Sequence, residues 1–258
     1  MASDLEFDAV VIGSGICGGI AAWELTRAGL KIAVVDRGKL EHFEEVDKKS
    51  IDRDFTVQKH CLAFRPENAH FFNNDSENPY EMDPSREVGG RSMLWSGHSY
   101  RLGKEAFAAR LPSGEAAWPL SYEELAPYYS RIEQYIGVAG ENAGLEVIPD
   151  GAFRKPLSLA PSEELVLKKL SEKRGGGRAG TVARIAVGAL GREQNGPIYS
   201  SNSGALRDAF QTNRMTLLSE TMCHSVCFNY RSGQCDSARL IDCKTGKDFK
   251  IKARVFFL

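Results

Sequence analysis

The stretch FDAVVIGSGICGGIAAWELTRAGLKIAVVDRG, residues 7–38, decides the fold. The apolar run Ala9–Ile12 predicts a strand that leads into Gly13-Ser14-Gly15-Ile16-Cys17-Gly18. Gly13 allows the tight turn, Gly15 lets the backbone approach a pyrophosphate, and Gly18 lets the following helix pack close to the strand. The helix is expected from about Ile16 to Ala28, ending at Gly29 as a C-terminal cap. Its free N–H groups and positive dipole end would receive the pyrophosphate. A second strand, Lys31–Val35, ends at Asp36, 23 residues after Gly13, followed by Arg37. That spacing puts a carboxylate where a ribose needs an acceptor. Strand, glycine turn, helix, strand and acid in this order predict an α/β Rossmann-like fold with a dinucleotide site. FAD and NAD share the ADP half, so this fingerprint alone does not separate them.

A second motif spans Arg86–Arg101, REVGGRSMLWSGHSYR. Gly89-Gly90 permits another close backbone approach. Ser92 and Ser96 add small hydroxyls, and Arg86 could pair with a phosphate. Trp95 and His98 complete a segment suited to a cofactor lying extended across the domain. Read without a ligand, the same segment is a turn followed by a packed tryptophan.

VGGRSMLWSG together with the N-terminal fingerprint resembles the glucose–methanol–choline oxidoreductases. Trp118–Tyr129 (WPLSYEELAPYY) and Tyr135–Gly140 (YIGVAG) are similar to a bacterial branch, the flavoprotein subunits of sugar and gluconate dehydrogenases. The resemblance runs from Phe7 to Leu258 and is strongest in 8–38, 86–140 and 198–258. It implies an FAD-dependent oxidoreductase acting on CH–OH groups of alcohols or sugars. In such an enzyme a base takes the hydroxyl proton and hydride passes to flavin N5. It further implies FAD contacts from the Gly13–Gly18 turn, Asp36, the 86–98 motif and the backbone of Cys223 beside adenine. In some relatives a histidine at the position of Leu94 bonds covalently to the flavin. Leucine has no such nitrogen, so FAD is expected to be noncovalent.

The family's catalytic base lies towards the C-terminus, in a part this chain does not contain. The resemblance therefore implies an N-terminal half, C-terminally truncated, with no catalytic residue of its own. It divides the chain into an FAD-binding Rossmann-like region with the flavin-side motif at 1–140, a partial α+β substrate region at 141–197, and a return to the FAD-binding domain with a β-meander at 198–258. Two other readings stay open: a non-catalytic FAD-binding remnant or subunit, possibly with a separate partner, and an NAD-dependent dehydrogenase. Asp36 disfavours NADP, because a carboxylate repels a 2′-phosphate.

Composition sets outer limits. The 258 residues carry 33 basic and 34 acidic side chains, a net charge of −1, so electrostatics make no case for nucleic acid or an anionic membrane. No apolar run reaches the roughly 20 residues that span a bilayer. The start MASDLEF lacks a basic and apolar leader, so the expected location is cytoplasmic. The six cysteines, Cys17, Cys61, Cys223, Cys227, Cys235 and Cys243, form no CxxC pair, and no metal site is expected. Cys223 and Cys227, four apart on a predicted strand, are expected on one face. His42, His60 and His70 fall in polar loop sequence.

Elsewhere Ser121-Tyr-Glu-Glu124 reads as a capping box opening a helix to about Ile136. Pro161–Ser171 reads as an amphipathic helix and Thr181–Val187 as strand-like. Strands are expected at Thr216–Ser219, Met222–Phe228, Ala238–Cys243 and Phe249–Leu258, separated by the turn signals Arg231-Ser-Gly-Gln and Lys244-Thr-Gly-Lys.

Overall fold

The computed structural model describes residues 5–40, 87–108, 118–172, 180–188 and 198–258. Arg86, Cys61, His42, His60 and His70 lie outside the described residues. The chain forms two compact units, Met1–Trp95 with Ser200–Leu258, and Ser96–Tyr199.

The first unit is built on a six-stranded sheet. Strands β1 (Leu5–Ile12) and β2 (Ile32–Val35) flank helix α1 (Ile16–Arg27), as the opening stretch predicts. The sheet order is β5-β2-β1-β8-β7-β6, where β5 is Met215–Leu218, β6 Thr221–Asn229, β7 Gln234–Asp242 and β8 Asp248–Phe257. β5, β2, β1 and β8 run parallel, while β8, β7 and β6 form an antiparallel meander. β8 thus belongs to both halves of the sheet. It pairs with β1 in a register that sets Leu5 against Ile251 and Val11 against Phe257.

Parallel strands buried on both faces need continuous apolar runs, and Ile32–Val35 is fully buried. One core half joins Ala9, Val11, Ile32 and Val34 to Ala22 of α1, and to Leu206 and Ala209 of a seven-residue helix, Ala205–Gln211. The other half joins Val10, Ala33 and Val35 to Ala238, Leu240, Ile251 and Ala253 of the meander. Each large aliphatic side chain taken from water contributes about 1.5–3 kcal/mol. The helix α1 buries Gly19, Ala22 and Thr26, and small residues on that face let it approach closely. The chain turns after it at Gly29, whose φ of +88° is the left-handed conformation that glycine adopts freely.

The meander departs from simple alternation. Cys223 pairs with Leu240, but Ser225 pairs with Arg239, so His224 is an extra residue in a β-bulge. Cys227 then pairs with Ser237. Leu240 and Ser237 are three apart on β7 and face opposite ways, so the two cysteines do not share a face.

The second unit contains helices α2 (Lys104–Ala108), α3 (Tyr122–Ile136) and α4 (Pro161–Glu172), and a short antiparallel pair, β3 (Val138–Ala139) with β4 (Ile185–Ala186). Only these two residues of Thr181–Val187 pair as strand. The capping box is formed. Glu124 N–H donates to Ser121 Oγ at 3.2 Å, and Ser121 N–H donates back to Glu124 Oε2 at 2.8 Å. α3 ends at Gly137, φ +66°, where a Cβ would stand 2.2 Å from the carbonyl oxygen of Gly188. Inside the unit, Arg101 lies along Glu133. Nε donates to Oε1 at 2.7 Å and Nη2 to Oε2 at 2.6 Å, with Ser130 and Tyr122 as further acceptors. Glu133 and the Tyr122 hydroxyl raise the Arg101 guanidinium pKa further above its already high ordinary value.

Candidate functional site

At the carboxyl ends of β1 and β2 the first unit opens into a cleft of about 420 Å³. That volume lies in the range of small-molecule sites. Its lining includes Ile12–Gly15, Asp36, Arg37, Gly90, Arg91 and Cys223. Open α/β sheets bind ligands at this end of their strands.

The glycine turn is shaped by three different needs. Gly13 has φ +97°, which a side chain rarely tolerates. A Cβ on Gly18 would meet the carbonyl oxygen of Gly13 at 1.9 Å, so only glycine fits. Gly15 has neither constraint. Its φ is −59°, and a Cβ there would meet no protein atom within 4 Å. It stands immediately before the first turn of α1, which has no acidic side chain and no side-chain cap. Ile16, Cys17 and Gly18 make up that turn, and Cys17 is exposed.

Asp36 closes the cleft from the end of β2 and is already engaged. Oδ2 accepts from the Ser14 N–H at 2.8 Å and from the Ser14 hydroxyl at 2.5 Å. Oδ1 accepts from the Gly38 N–H at 2.7 Å. A carboxylate offers about four acceptor positions, so one remains. Arg37 beside it is exposed, and with Arg91 it sets two positive charges at the cleft edge against Asp36 and Glu87. Cys223 also lines the cleft, and burial pushes its thiol pKa up.

The second motif folds directly behind this loop. Gly89 and Gly90 are both left-handed, φ +98° and +56°, and open a 3₁₀ turn, Gly90–Met93. Gly90 approaches Gly15 closely, since a Cβ on it would lie 3.5 Å from the Gly15 Cα. The Gly89 N–H donates to Ser14 Oγ at 2.8 Å, and Ser92 Oγ donates to the Gly89 carbonyl at 2.6 Å. Trp95 ends the turn, its N–H donating to the Arg91 carbonyl at 3.1 Å.

A third segment, Ser200–Gly204, completes the assembly. Ser201 N–H donates to Ser92 Oγ at 2.9 Å, and Ser201 Oγ donates to the carbonyl of Ser14 at 2.7 Å. Asn202 Nδ2 donates to the Val88 carbonyl at 2.6 Å. Ser14, Ser92, Ser201 and Asn202 are all buried. A Cβ on Gly19 would strike Ser201 Oγ at 2.1 Å, which explains the second glycine of the Gly18-Gly19 pair. Ser201 and Asn202 carry no recognisable spacing to the fingerprint, and only the small polar run before a helix hints at them.

Of the residues singled out from sequence, Gly13, Ser14, Gly15, Asp36, Arg37, Gly90 and Cys223 line one cleft, and Gly89 and Ser92 back it. Ser96 and His98 belong to the second unit. There Ser96 Oγ and His98 Nδ1 lie 2.7 Å apart, and the imidazole stacks on Tyr100 with ring centres 6.3 Å apart. Among the described residues no group of His, Cys, Asp and Glu is arranged to hold a metal ion. Nor is any described helix long and apolar enough to cross a membrane.

No protein-family model matches the chain. In sequence it is similar to the fructose dehydrogenase large subunit of Gluconobacter japonicus, 28% identical over 169 residues, which is 59% of this chain and 31% of that protein. It is likewise 28% identical over 158 residues to the gluconate 2-dehydrogenase flavoprotein of Pantoea cypripedii, covering 52% of this chain and 26% of that one. Its fold matches pyridoxine 4-oxidase from Mesorbium loti with a TM-score of 0.63 at 15% identity, over 96% of this chain and 48% of that one. A formate oxidase matches with a TM-score of 0.64 at 14% identity, over 99% and 46%. The chain thus spans about half the length of these structures, and its matches cover less than a third of the two curated relatives. FAD is the cofactor these relatives imply. The sequence relatives are sugar and gluconate dehydrogenase subunits, the structural neighbours are glucose–methanol–choline oxidoreductases, and the fold of this chain is similar to the FAD-binding fold of those neighbours.

Proposed function

We propose that the chain is the FAD-binding portion of an oxidoreductase acting on CH–OH groups of sugars or alcohols, and that it holds FAD noncovalently. The observation that carries this reading is Gly15. Neither its backbone angles nor its surroundings in the protein require glycine, yet it stands at the mouth of the cleft before an uncapped helix. A pyrophosphate lying against the loop supplies the missing reason, since a side chain there would fill its place.

The remaining roles follow from this placement. Gly13 and Ser14 shape the loop, and the first-turn amides of Ile16, Cys17 and Gly18 face the phosphates. Gly18 keeps α1 close. The last acceptor position of Asp36 takes one hydroxyl of the adenosine ribose. Arg37 flanks the adenosine, and the Cys223 backbone borders the adenine. Gly89, Gly90 and Ser92 carry the cofactor onward, with Arg86, Trp95, Ser96 and His98 as flavin-side candidates. Leu94 leaves no nucleophile for covalent attachment at its position. Bound FAD supplies the hydride acceptor, and we assign no catalytic base within these 258 residues. The relatives named as a large subunit and a flavoprotein make a partner polypeptide part of this proposal.

The test is to purify the chain with its cofactor and precipitate it in acid. Yellow flavin in the supernatant, identified as FAD, supports the reading. Flavin retained on the precipitate overturns noncovalent binding, and NAD in its place overturns the flavin assignment.

A further inference from the structure

The contacts of Ser14 go beyond shaping a turn. A backbone N–H can only donate, so the Gly89 N–H fixes Ser14 Oγ as its acceptor. An ionised carboxylate can only accept, so the Ser14 hydroxyl proton must point at Asp36 Oδ2. The direction of this chain is therefore settled: Gly89 N–H to Ser14 O–H to Asp36. Ser14 has no exposed surface, so water does not compete for either bond. The three residues come from three separate stretches of chain, the glycine turn, the end of β2 and the 86–101 motif. Hydrogen bonds in series polarise one another, so the strength of each depends on the next.

We propose that Ser14 is a positioning residue that couples occupation of the Asp36 side of the cleft to the seating of the Gly89–Gly90 turn. The proposal rests on the dinucleotide reading of the cleft. A ribose hydroxyl at Asp36 holds the carboxylate in place, and with it the Ser14 hydroxyl and the Gly89 amide. The adenosine half would thereby tighten the segment that leads to the flavin end before that end is engaged. Ser92 serves as the internal control. It braces the same turn through the Gly89 carbonyl and Ser201, without touching Asp36.

The experiment uses ADP, which carries the ribose and pyrophosphate but no flavin. Amide hydrogen exchange of the flavin-free chain is followed with and without saturating ADP, and ADP affinity is measured by calorimetry. ADP should slow exchange of the Gly89 and Gly90 amides by about tenfold or more. Ser14→Ala should weaken ADP binding roughly tenfold, the scale of one charge-assisted bond. It should also abolish the ADP-dependent slowing at Gly89. In an Asp36→Ala background, adding Ser14→Ala should change ADP affinity less than twofold, because the coupled partner is already gone. Ser92→Ala should loosen the turn and cost less ADP affinity than Ser14→Ala.

ADP binding without slower exchange at Gly89 in the unmodified chain overturns the coupling and leaves the cleft assignment standing. That arm needs no variant to fold. Equal losses for Ser14→Ala in both backgrounds, or for Ser92→Ala and Ser14→Ala, reduce Ser14 to a general brace and also overturn it. No binding of ADP at millimolar concentration overturns the dinucleotide reading itself.

Discussion

The Gly13 carbonyl oxygen occupies the place where a Cβ on Gly18 would stand, at 1.9 Å. The obstacle is backbone of the turn just after β1, tied by the Gly13 N–H to the Val35 carbonyl at 2.8 Å, so it has little room to yield. Three residues back, the space above Gly15 is open. Two glycines of one motif are thus held by opposite conditions, one by the protein's own packing and one by space left outside it.

Gly18→Ala should therefore cost stability, about 1–3 kcal/mol or more as overpacking typically does. Gly15→Ala should leave stability within about 0.5 kcal/mol, since alanine readily adopts its backbone angles, but it should abolish detectable FAD binding. Urea denaturation read beside FAD titration separates the two. A Gly15→Ala chain that binds FAD normally would remove the pyrophosphate from this loop.

Asp36→Ala should weaken FAD binding by roughly tenfold or more, the loss of a charge-assisted hydrogen bond of about 1.5–3 kcal/mol. Asp36→Asn should rescue little of it. One side of the carboxylate faces the Ser14 donors and the other faces the Gly38 N–H. Whichever way the amide is turned, its NH₂ meets a donor. Fluorescence titration with FAD on both variants checks this, and tight binding by Asp36→Asn would count against the acceptor role.

In the second unit, Glu133→Ala should destabilise the chain by about 3–5 kcal/mol, because it strands a buried guanidinium. It also takes the acceptor from the Ala152 N–H, 2.8 Å from Oε2. The double variant Arg101→Met/Glu133→Leu should lose less than Glu133→Ala alone. Equilibrium unfolding in urea gives both values. A small effect from Glu133→Ala would mean that the pair is open to water.

The capping box makes α3 sensitive to acid. Hydrogen bonds from the Ser121 N–H and hydroxyl hold the Glu124 carboxyl below its ordinary pKa. A depressed folded-state value stabilises above the unfolded pKa and is lost as pH falls through the folded one. Glu124→Gln should therefore differ from the unmodified chain at pH 7, with the gap closing as pH drops below the ordinary glutamate range. Thermal unfolding from pH 7 to pH 3 follows it. A gap independent of pH would remove the carboxylate from the cap.

What could be read from sequence followed the distance over which each signal acts. Gly13–Gly18, α1 and Asp36 lie within one β-α-β unit, and local spacing states their geometry. The capping box at Ser121 is equally local. The Ser201 contact to Ser14 spans 187 residues, and a serine carries no mark of its distant partner. The bulge at His224 was hidden for a related reason. Alternation predicts faces only while every residue is paired, and one extra residue turned Cys227 away from the Cys223 face. The brevity of β4 within Thr181–Val187 reflects the two residues available to it in β3.

The position of β8 between β1 and β7 has a consequence in time. β1 finds that neighbour 246 residues later in the chain, at Ile251 for Leu5. At a synthesis rate of about 5–20 residues per second, roughly 12–50 s pass before the partner exists. Throughout that interval β1 lacks its β8 neighbour, and an unpaired strand edge is a template for mispairing, so the order of synthesis favours late closure of this sheet.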